Sequence, residues 1–508
     1  MESTEKKSFK AIKIGAIISY LALVLDVIAG LAYTPWIIKQ IGESEYGLYT
    51  LATSLISMFM LDFGMSAAVS RYVSNYRAEN NKKAIENFLG LTYKIYLVVS
   101  AIISVVLIFV YIYINQIYVK LTPTELDSLR IVYIIAGTSM IVCFPFVTLN
   151  GILNAYEEFA AMKLADVFNK VVTIILTIVA LIGGLGLYTL VFINSFLNIL
   201  TIVLKFILVK KKTKIKVNFV FYDKRLLKDI TGFSLWTTVK SIAQRFIFNI
   251  TPTILGVVSG SASITMFGLA SVLEGYVFKF SQAINGMFMP KISRATLGSE
   301  TGENILNLMI KVGRIVLSIT GILIIGIVAL GRDFINLWMG TEFSVVYMCT
   351  IFLILPSIIH LPQQVANTTV VVLNKVKIEG IVYVVMGLSN IVFSFILGRF
   401  WGEIGCSISI CIAYFVRTIL MNVVFVKELK INIFKFFKEC HIKMAAGLIL
   451  TLIVGFLIAR FVNIYQGWIN FGIKVICLTV SYIIIMWCIG WNKYEKDLIL
   501  SFVRKVKK

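Results

Sequence analysis

Long apolar stretches alternate with short polar segments along the chain, and this pattern predicts membrane-spanning helices. A bilayer core of about 30 Å is crossed by about 20 apolar residues in a helix. About fourteen stretches meet this criterion: Ile14–Ile38, Gly47–Val69, Phe88–Ile114, Arg130–Leu153, Val167–Leu185, Tyr188–Val209, Thr231–Val258, Ile264–Met289, Lys311–Trp338, Val345–Leu373, Gly380–Gly398, Ile404–Val426, Met444–Val462 and Trp468–Gly490. The sequence therefore predicts an all-α polytopic membrane protein.

The composition agrees with this prediction. Hydrophobic residues make up 59% of the 508 residues, charged residues make up 15%, and the mean hydropathy is +0.90. Soluble chains are about 45–50% apolar and about 25% charged. So many apolar residues cannot all face inward in water, and lipid must surround most of them.

The basic residues lie mainly on alternate loops. The chain has 48 Lys and Arg and a net charge of +22. With the N-terminus inside, the cytoplasmic loops would hold about 35 of these residues. The densest run, Lys210–Lys216, is interpreted as a linker on anionic headgroups. This asymmetry predicts that both termini are cytoplasmic, and it explains the charge without a nucleic-acid partner.

An internal repeat predicts the domain organisation. Tyr46-Gly47-Leu48 is echoed by Phe267-Gly268-Leu269, and Pro145 before Asn150 is echoed by Pro362 before Asn367. These offsets of about 220 residues indicate two parallel repeats of six helices, with a substrate site expected near the midplane between the lobes. The predicted divisions are an N-terminal lobe (1–209), a basic cytoplasmic linker (210–230), a C-terminal lobe (231–426), and helices 13 and 14 with a basic tail (427–508).

Several charged residues fall inside the predicted spans. A charge at the bilayer centre costs about 2.5–3.5 kcal/mol, so such residues normally face a cavity or a partner. These candidates are Asp26, Asp62, Lys240, Arg245, Glu274, Lys279 and Arg417. Their positive surplus favours a water-filled cavity that receives an anionic head group. The other interpretation is a set of ion pairs, such as Asp26 with Arg245, that only hold the lobes together.

The cavity interpretation gives each candidate a role. Lys240 and Arg245, with Lys279 and Arg417, would bind a diphosphate, since Arg makes bidentate contacts with phosphate. Asp26, Glu274 and Asp62 would orient these cations or carry a coupling ion. Lys474 lies near a helix end and is expected to extend towards water.

Other kinds of chemistry have little support in the sequence. The seven cysteines form no C-x-x-C pair, and only two histidines are present, so neither a metal site nor a cofactor is expected. No nucleotide-binding or hydrolytic motif occurs, and an enzyme is not predicted. The energy for transport would come from an ion gradient, the membrane potential, the substrate gradient or another protein. The prolines in the spans are interpreted as fixed kinks or as hinges.

One region of the chain resembles a known family. The segments Ile41–Tyr49, Leu61–Met65 and Ser70–Tyr72 resemble Wzx-type polysaccharide flippases of the multidrug/oligosaccharidyl-lipid/polysaccharide (MOP) exporter superfamily. The resemblance implies alternating access of two lobes in the bacterial inner membrane. It implies transport of an undecaprenyl-diphosphate-linked oligosaccharide for O-antigen (lipopolysaccharide) or capsule. The implied partners are this substrate, membrane lipids and a coupling ion, H⁺ or Na⁺. Binding of a polysaccharide polymerase stays open.

Alternative functions remain at this point. A multidrug or cation exporter of the same superfamily would need a mostly acidic or apolar cavity and about twelve helices. A membrane-embedded enzyme or scaffold of glycan assembly is a further alternative. Lipid II is disfavoured as the substrate because the first helix offers only Asp26, not the arginines of lipid II flippases.

Overall fold

The computed structural model describes residues 27–28, 30–59, 65–297, 302–373 and 375–506, with side chains omitted at some of these positions. All regular structure in these ranges is helical. The predicted helix 1 lies only partly within them. The chain forms two compact units, residues 1–265 and 266–508, and each is described separately. This division differs from the predicted linker at 210–230, and the predicted lobe boundaries stay predictions.

Unit 1 holds eleven helices in its described residues, counting the short first turn of the last one. They are α1 (30–41), α2 (Glu43–Phe59), α3 (Met65–Ala78), α4 (Lys82–Ile112), α5 (Ile114–Ile117), α6 (Pro123–Cys143), α7 (Leu149–Ala155), α8 (Phe159–Ile182), α9 (Leu187–Thr213), α10 (Lys224–Val258) and the start of α11 (Ser261–Leu297). Polar side chains begin several of these helices. Asn81 accepts a hydrogen bond from the Ala84 amide, and Asp223 accepts from Arg225 and Leu226.

Unit 2 continues with α11 and the helices that follow it. They are α12 (Gly302–Trp338), α13 (Val345–Ile354), α14 (Ser357–His360), α15 (Gln364–Val372), α16 (Val376–Leu429), α17 (Ile433–Phe437), α18 (Lys443–Phe461), α19 (Gly467–Ile485) and α20 (Lys493–Val506). Five-residue π turns, Lys438–Ile442 and Met486–Gly490, precede α18 and follow α19. Gly402 in α16 has φ +52°, so two helices meet there and fold back on each other.

Ten helical segments in the described residues are long and apolar enough to cross a membrane. One of them, Val376–Leu429, contains the predicted helices 11 and 12 on either side of Gly402. The ten segments thus correspond to eleven of the predicted spans. The other three predicted spans begin at Ile14, Gly47 and Thr231. The prediction of a polytopic all-α membrane protein is confirmed.

Prolines interrupt two of the predicted helices. The predicted helix 4 is broken by a 3₁₀ turn at Phe144–Phe146 before α7 begins. The predicted helix 10 consists of α13, α14 and α15, with Pro356 and Pro362 at the junctions. Proline removes a backbone donor and clashes with the preceding turn. By contrast, Pro252 lies inside the uninterrupted α10.

The C-terminal helices of unit 2 are fixed to α12 by charged side chains. Near its start, Arg314 pairs with Glu495 of α20, and both residues are buried. Near its end, Asp333 pairs with Lys474 of α19, with 2.7 Å between Nζ and Oδ2. The expectation that Lys474 extends towards water is wrong, since it is buried and also donates to the Ala459 carbonyl. These helices therefore belong to the same packed core as α12.

Candidate functional site

The predicted membrane charges differ in how the structure places them. Asp26 and Asp62 lie outside the described residues. Arg245 lies on α10, and its side chain is not among those described. Lys240, also on α10, is half-buried. Lys279 on α11 is exposed, with its Nζ 5.5 Å from the ring centre of Tyr276.

Two of the predicted site residues are buried in unit 2. Glu274 of α11 is 7% exposed and Arg417 of α16 is 1% exposed. The Nη2 atom of Arg417 donates to Asn367 Oδ1 at 3.1 Å and to the Tyr383 hydroxyl at 3.2 Å. The guanidinium also lies 5.2 Å from the centre of the Tyr383 ring. A cation over an aromatic ring at this distance is attracted to the ring face.

Tyr414 connects the surroundings of Glu274 and Arg417. Its phenol is close enough to interact electrostatically with both charged groups. Its ring also packs against the imidazole of His360, with 4.9 Å between the ring centres. The structure therefore brings two of the predicted residues into one region of unit 2, together with neutral polar side chains.

The interrupted helix α13–α15 supplies several of these neutral side chains. His360, Gln363 and Asn367 are all buried. His360 Nδ1 donates to the Pro356 carbonyl at 3.0 Å, because a carbonyl oxygen can only accept. Gln363 Nε2 donates to Asn422 Oδ1 at 2.8 Å. The breaks in this helix free backbone groups and allow polar side chains to face the interior of the unit.

We name seven neighbouring polar residues of unit 2 the Arg417 cluster: Glu274, His360, Gln363, Asn367, Tyr383, Tyr414 and Arg417. Sequence reasoning singled out Glu274 and Arg417, and it noted Asn367 only as part of the repeat. The other members carry no formal charge, so a search for charged residues inside apolar spans does not find them. In the described part of the chain, no three His, Cys, Asp or Glu side chains come together as a metal site would require.

Unit 1 contains a cavity of about 130 Å³ between α2, α6 and α9. All of its lining side chains are uncharged, and they are Tyr49, Thr53, Ile56, Ser57, Ala136, Ser139, Met140, Cys143, Val191, Asn194, Ser195 and Asn198. Hydroxyl and amide groups alternate with apolar surface along the walls. This lining is suited to a neutral polar group and offers no carboxylate to a cation.

A second polar cluster in unit 1 joins the starts of α2, α6 and α11. Glu125 Oε1 accepts hydrogen bonds from the hydroxyls of Ser44 and Ser261. Its Oε2 accepts from the Thr122 amide at 2.8 Å, which completes a capping box. Gly47 lies against the Ser261 carbonyl, where a Cβ atom would clash. We call this set of hydrogen bonds the Glu125 clasp.

Sequence reasoning missed one buried cation of unit 1. Lys205 of α9 is buried, and its Nζ donates to Asp166 Oδ1 at 2.7 Å and to Asn150 Oδ1 at 2.9 Å. Lys205 lies within the predicted sixth span, so a search for charges by membrane depth could have found it. Its pairing with Asp166 gives it a structural role in joining α8 to α9.

Solved structures with a similar fold are membrane transporters. A structure described as lipid II flippase MurJ in an inward closed conformation has a TM-score of 0.67 and 17% identity, and the match covers 96% of this chain and 99% of that one. An inward-facing multidrug resistance MATE family transporter of the MOP superfamily has a TM-score of 0.65 and 14% identity, with coverage of 82% and 99%. A MOP superfamily transporter from Pyrococcus furiosus has a TM-score of 0.58 and 16% identity, and the match covers 83% of this chain and 97% of that one.

The sequence itself matches one family model. The model is described as polysaccharide biosynthesis protein, and it matches residues 12–297, which is more than half of the chain. No curated protein sequence gives a significant match. The chain is therefore a member of the polysaccharide biosynthesis protein family, and it is a multi-pass membrane protein whose fold is similar to those of the MurJ flippase and MATE transporter structures.

Proposed function

We propose that the protein moves an undecaprenyl-diphosphate-linked oligosaccharide across the bacterial inner membrane for surface polysaccharide synthesis. Membership in the polysaccharide biosynthesis protein family carries this proposal. The similarity of fold to a structure described as a lipid II flippase supports it. Alternating access is the proposed mechanism.

The coverage of the two kinds of similar structure favours a flippase over a multidrug exporter. The flippase structure covers 96% of this chain and the MATE structure covers 82%. The difference is about the size of residues 433–508, which form α17–α20. A twelve-helix exporter has no equivalent of two further spans. The C-terminal helices are therefore expected to serve a function that drug export does not need.

The charges of the described chain also disfavour export of cationic drugs. The lining of the unit 1 cavity contains no acidic side chain that could pair with a cationic drug. The second candidate function is nevertheless an ion-coupled exporter of the same superfamily, because MATE transporters share the fold. A membrane enzyme or scaffold of glycan assembly is the third candidate, and no observation on this fold favours it.

The proposed diphosphate ligands are Lys240, Arg245 and Lys279. Lys240 and Arg245 lie on α10, and Lys279 lies on α11. The side chain of Lys240 is half-buried and that of Lys279 is exposed. Ammonium and guanidinium groups bind phosphate oxygens by charge-assisted hydrogen bonds. Asp26, Asp62 and Glu274 are proposed to orient these cations or to carry a coupling H⁺ or Na⁺. Arg417 was also predicted to bind the diphosphate. It is almost fully buried, and we propose a different role for it.

Removal of two proposed ligands tests the assignment in cells. The double variant Lys240→Ala with Arg245→Ala is expressed in a strain that lacks its own copy of the gene. We expect normal insertion and a loss of surface glycan of at least tenfold. Lys210→Ala with Lys211→Ala is the matched control, since it removes two exposed cations at the start of the predicted linker. Normal surface glycan in the Lys240 and Arg245 variant would rule out the assignment.

The proposed topology places both termini in the cytoplasm. The basic loops support this orientation through the positive-inside rule. Fusions of alkaline phosphatase and of green fluorescent protein to the C-terminus separate the two orientations. Fluorescence without phosphatase activity is the expected result, and phosphatase activity would reverse the topology. The substrate and membrane lipids are the proposed partners, and a polysaccharide polymerase is proposed to act on the product.

A further inference from the structure

Arg417 is a buried guanidinium with no acidic partner in the described part of the chain. It is 1% exposed and belongs to none of the ion pairs of 4.0 Å or less among the described residues. A charge at membrane depth is normally paired or faces water. Nearby Glu274 interacts with Tyr414 but forms no such pair with Arg417.

The hydrogen bonds of Arg417 satisfy only part of the guanidinium. A guanidinium has five N–H groups. Its Nη2 donates to Asn367 Oδ1 and to the Tyr383 hydroxyl. Its Nε and Nη1 are buried and have no acceptor among the described residues, and together they carry three N–H groups. The face of the Tyr383 ring compensates only a small part of the charge.

Asn367 adds further donors beside Arg417. Because its Oδ1 accepts from Arg417, the other atom of the amide is the nitrogen Nδ2. This Nδ2 is buried and also has no acceptor among the described residues. Two touching side chains therefore present N–H groups with one positive charge and no negative one. Such a set of donors is the complement of an anion.

The surrounding residues do not supply the missing acceptor. Gln363 Nε2 is bonded to Asn422, and His360 Nδ1 is bonded to the Pro356 carbonyl. The other neighbour, Tyr414, packs its ring on His360. These contacts hold the walls around Arg417 in place. They leave the guanidinium without a carboxylate within 4.0 Å among the described residues.

We propose that Arg417 and Asn367 bind a small monovalent anion, of the size of chloride, inside unit 2. The anion accepts from Asn367 Nδ2 and from one unpartnered edge of the Arg417 guanidinium, at Nη1 or at Nε, and it neutralises the buried charge. Both side chains are almost fully enclosed, which favours an ion as small as a halide over a lipid diphosphate, since a diphosphate needs an open path. This site requires no glycan substrate and is independent of the proposed flippase function.

Binding to the purified, substrate-free protein tests the proposal directly. Saturable binding of ³⁶Cl⁻ at about one per chain is expected. Chloride in place of gluconate at equal ionic strength is expected to raise the midpoint of thermal unfolding by about 2–4 °C. Inorganic phosphate is expected to give no shift. The absence of saturable ³⁶Cl⁻ binding, or a shift with phosphate but not chloride, would overturn the site.

A carboxylate built into the site distinguishes an anion site from a merely structural arginine. Asn367→Asp places a carboxylate oxygen where Asn367 Oδ1 now accepts from Arg417. We expect this variant to lose ³⁶Cl⁻ binding and to be as stable in gluconate as the wild type is in chloride. Asn390→Asp, at a buried position of α16, is the matched control. It is expected to be less stable and to keep the chloride effect.

Arg417→Gln tests the same site if Asn367→Asp does not fold. Arg417→Gln removes the charge but keeps an amide of similar reach. It is expected to reduce ³⁶Cl⁻ binding at least tenfold and to abolish the midpoint shift. If Arg417→Gln or Asn367→Asp binds ³⁶Cl⁻ as strongly as the wild type does, the assignment to these two residues is contradicted.

Discussion

Two buried arginines of unit 2 have opposite surroundings. Arg314 donates from Nη2 to Glu495 Oε2 at 2.9 Å and to the Gly490 carbonyl at 2.8 Å, from Nη1 to the Glu439 carbonyl at 2.7 Å, and from Nε to Glu495 Oε1. Arg417 has two neutral acceptors and no carboxylate among the described residues. Both are at most 3% exposed. Burial is therefore equal, and the partners differ.

The contrast distinguishes a charge that holds the fold from one that is available for a ligand. The partners of Arg314 come from the π turn Lys438–Ile442, the π turn Met486–Gly490 and α20. Four hydrogen bonds from its guanidinium therefore fix the C-terminal helices to α12. The acceptors of Arg417 among the described residues lie on α15 and α16, and its Nε and Nη1 have no acceptor there. Function in this unit is expected at the incompletely satisfied charge.

Loss of Arg314 is expected to have the largest effect on stability. In Arg314→Met the Glu495 carboxylate stays buried without a cation. Breaking a buried pair in this way costs about 3–5 kcal/mol. We expect a large fall in the midpoint of thermal unfolding in detergent. The double variant Arg314→Met with Glu495→Leu is expected to recover most of it, because a buried pair replaced by apolar groups is often neutral.

Loss of Lys474 is expected to have an intermediate effect. Its side chain is 5% exposed, but that of its partner Asp333 is 45% exposed, so water can solvate the remaining carboxylate. Hydrogen bonds to charged groups contribute about 1.5–3 kcal/mol. Lys474→Met should therefore lower the midpoint by less than Arg314→Met does. An equal fall for both variants would refute the argument from solvation of the partner.

Loss of an exposed pair is expected to have a small effect. The side chains of Lys435 and Glu303 are 46% and 69% exposed, and their charged atoms lie 3.3 Å apart. Exposed pairs contribute about 0.2–1 kcal/mol. Glu303→Gln is therefore predicted to change the midpoint only slightly, and added salt should remove the difference from the wild type. A fall as large as that of Lys474→Met would contradict this ranking.

Replacement of Arg417 is expected to have the smallest effect on stability in the absence of chloride. Arg417→Met removes an incompletely satisfied charge, so we expect a change within about 1 kcal/mol in gluconate. The wild type should exceed the variant only when chloride is present. Thermal unfolding in both salts checks this result. A fall in gluconate that matches Arg314→Met would mean that Arg417 is purely structural.

The helices of the fold were largely predictable because lipid-facing residues must be apolar. Predicted spans such as Met444–Val462 agree with α18 within one residue, and the breaks lie at Pro145, Pro356 and Pro362. The polar ends of the helices were not predicted. For example, α12 begins at Gly302, nine residues before the predicted start, because the first turns are too polar for a hydropathy pattern.

The candidate sites were less predictable because their partners are far apart in sequence. Arg314 and Glu495 are 181 residues apart, and Ser261 and Glu125 are 136 apart. Membrane depth identified Glu274 and Arg417 as buried charges, and the structure places them in one region. Membrane depth gave no indication that Arg417 contacts Asn367 and Tyr383, since these contacts depend on how the helices pack.

Transport by the purified protein tests the central claim most directly. The protein is reconstituted into vesicles with a fluorescent undecaprenyl-diphosphate oligosaccharide, and an impermeant quencher reports the fraction in the outer leaflet over time. The proposed function predicts transfer between leaflets at least tenfold faster than in protein-free vesicles and in vesicles with Lys240→Ala and Arg245→Ala. Equal rates of transfer between leaflets in the wild-type, double-variant and protein-free vesicles, with an imposed proton or sodium gradient, would contradict a flippase.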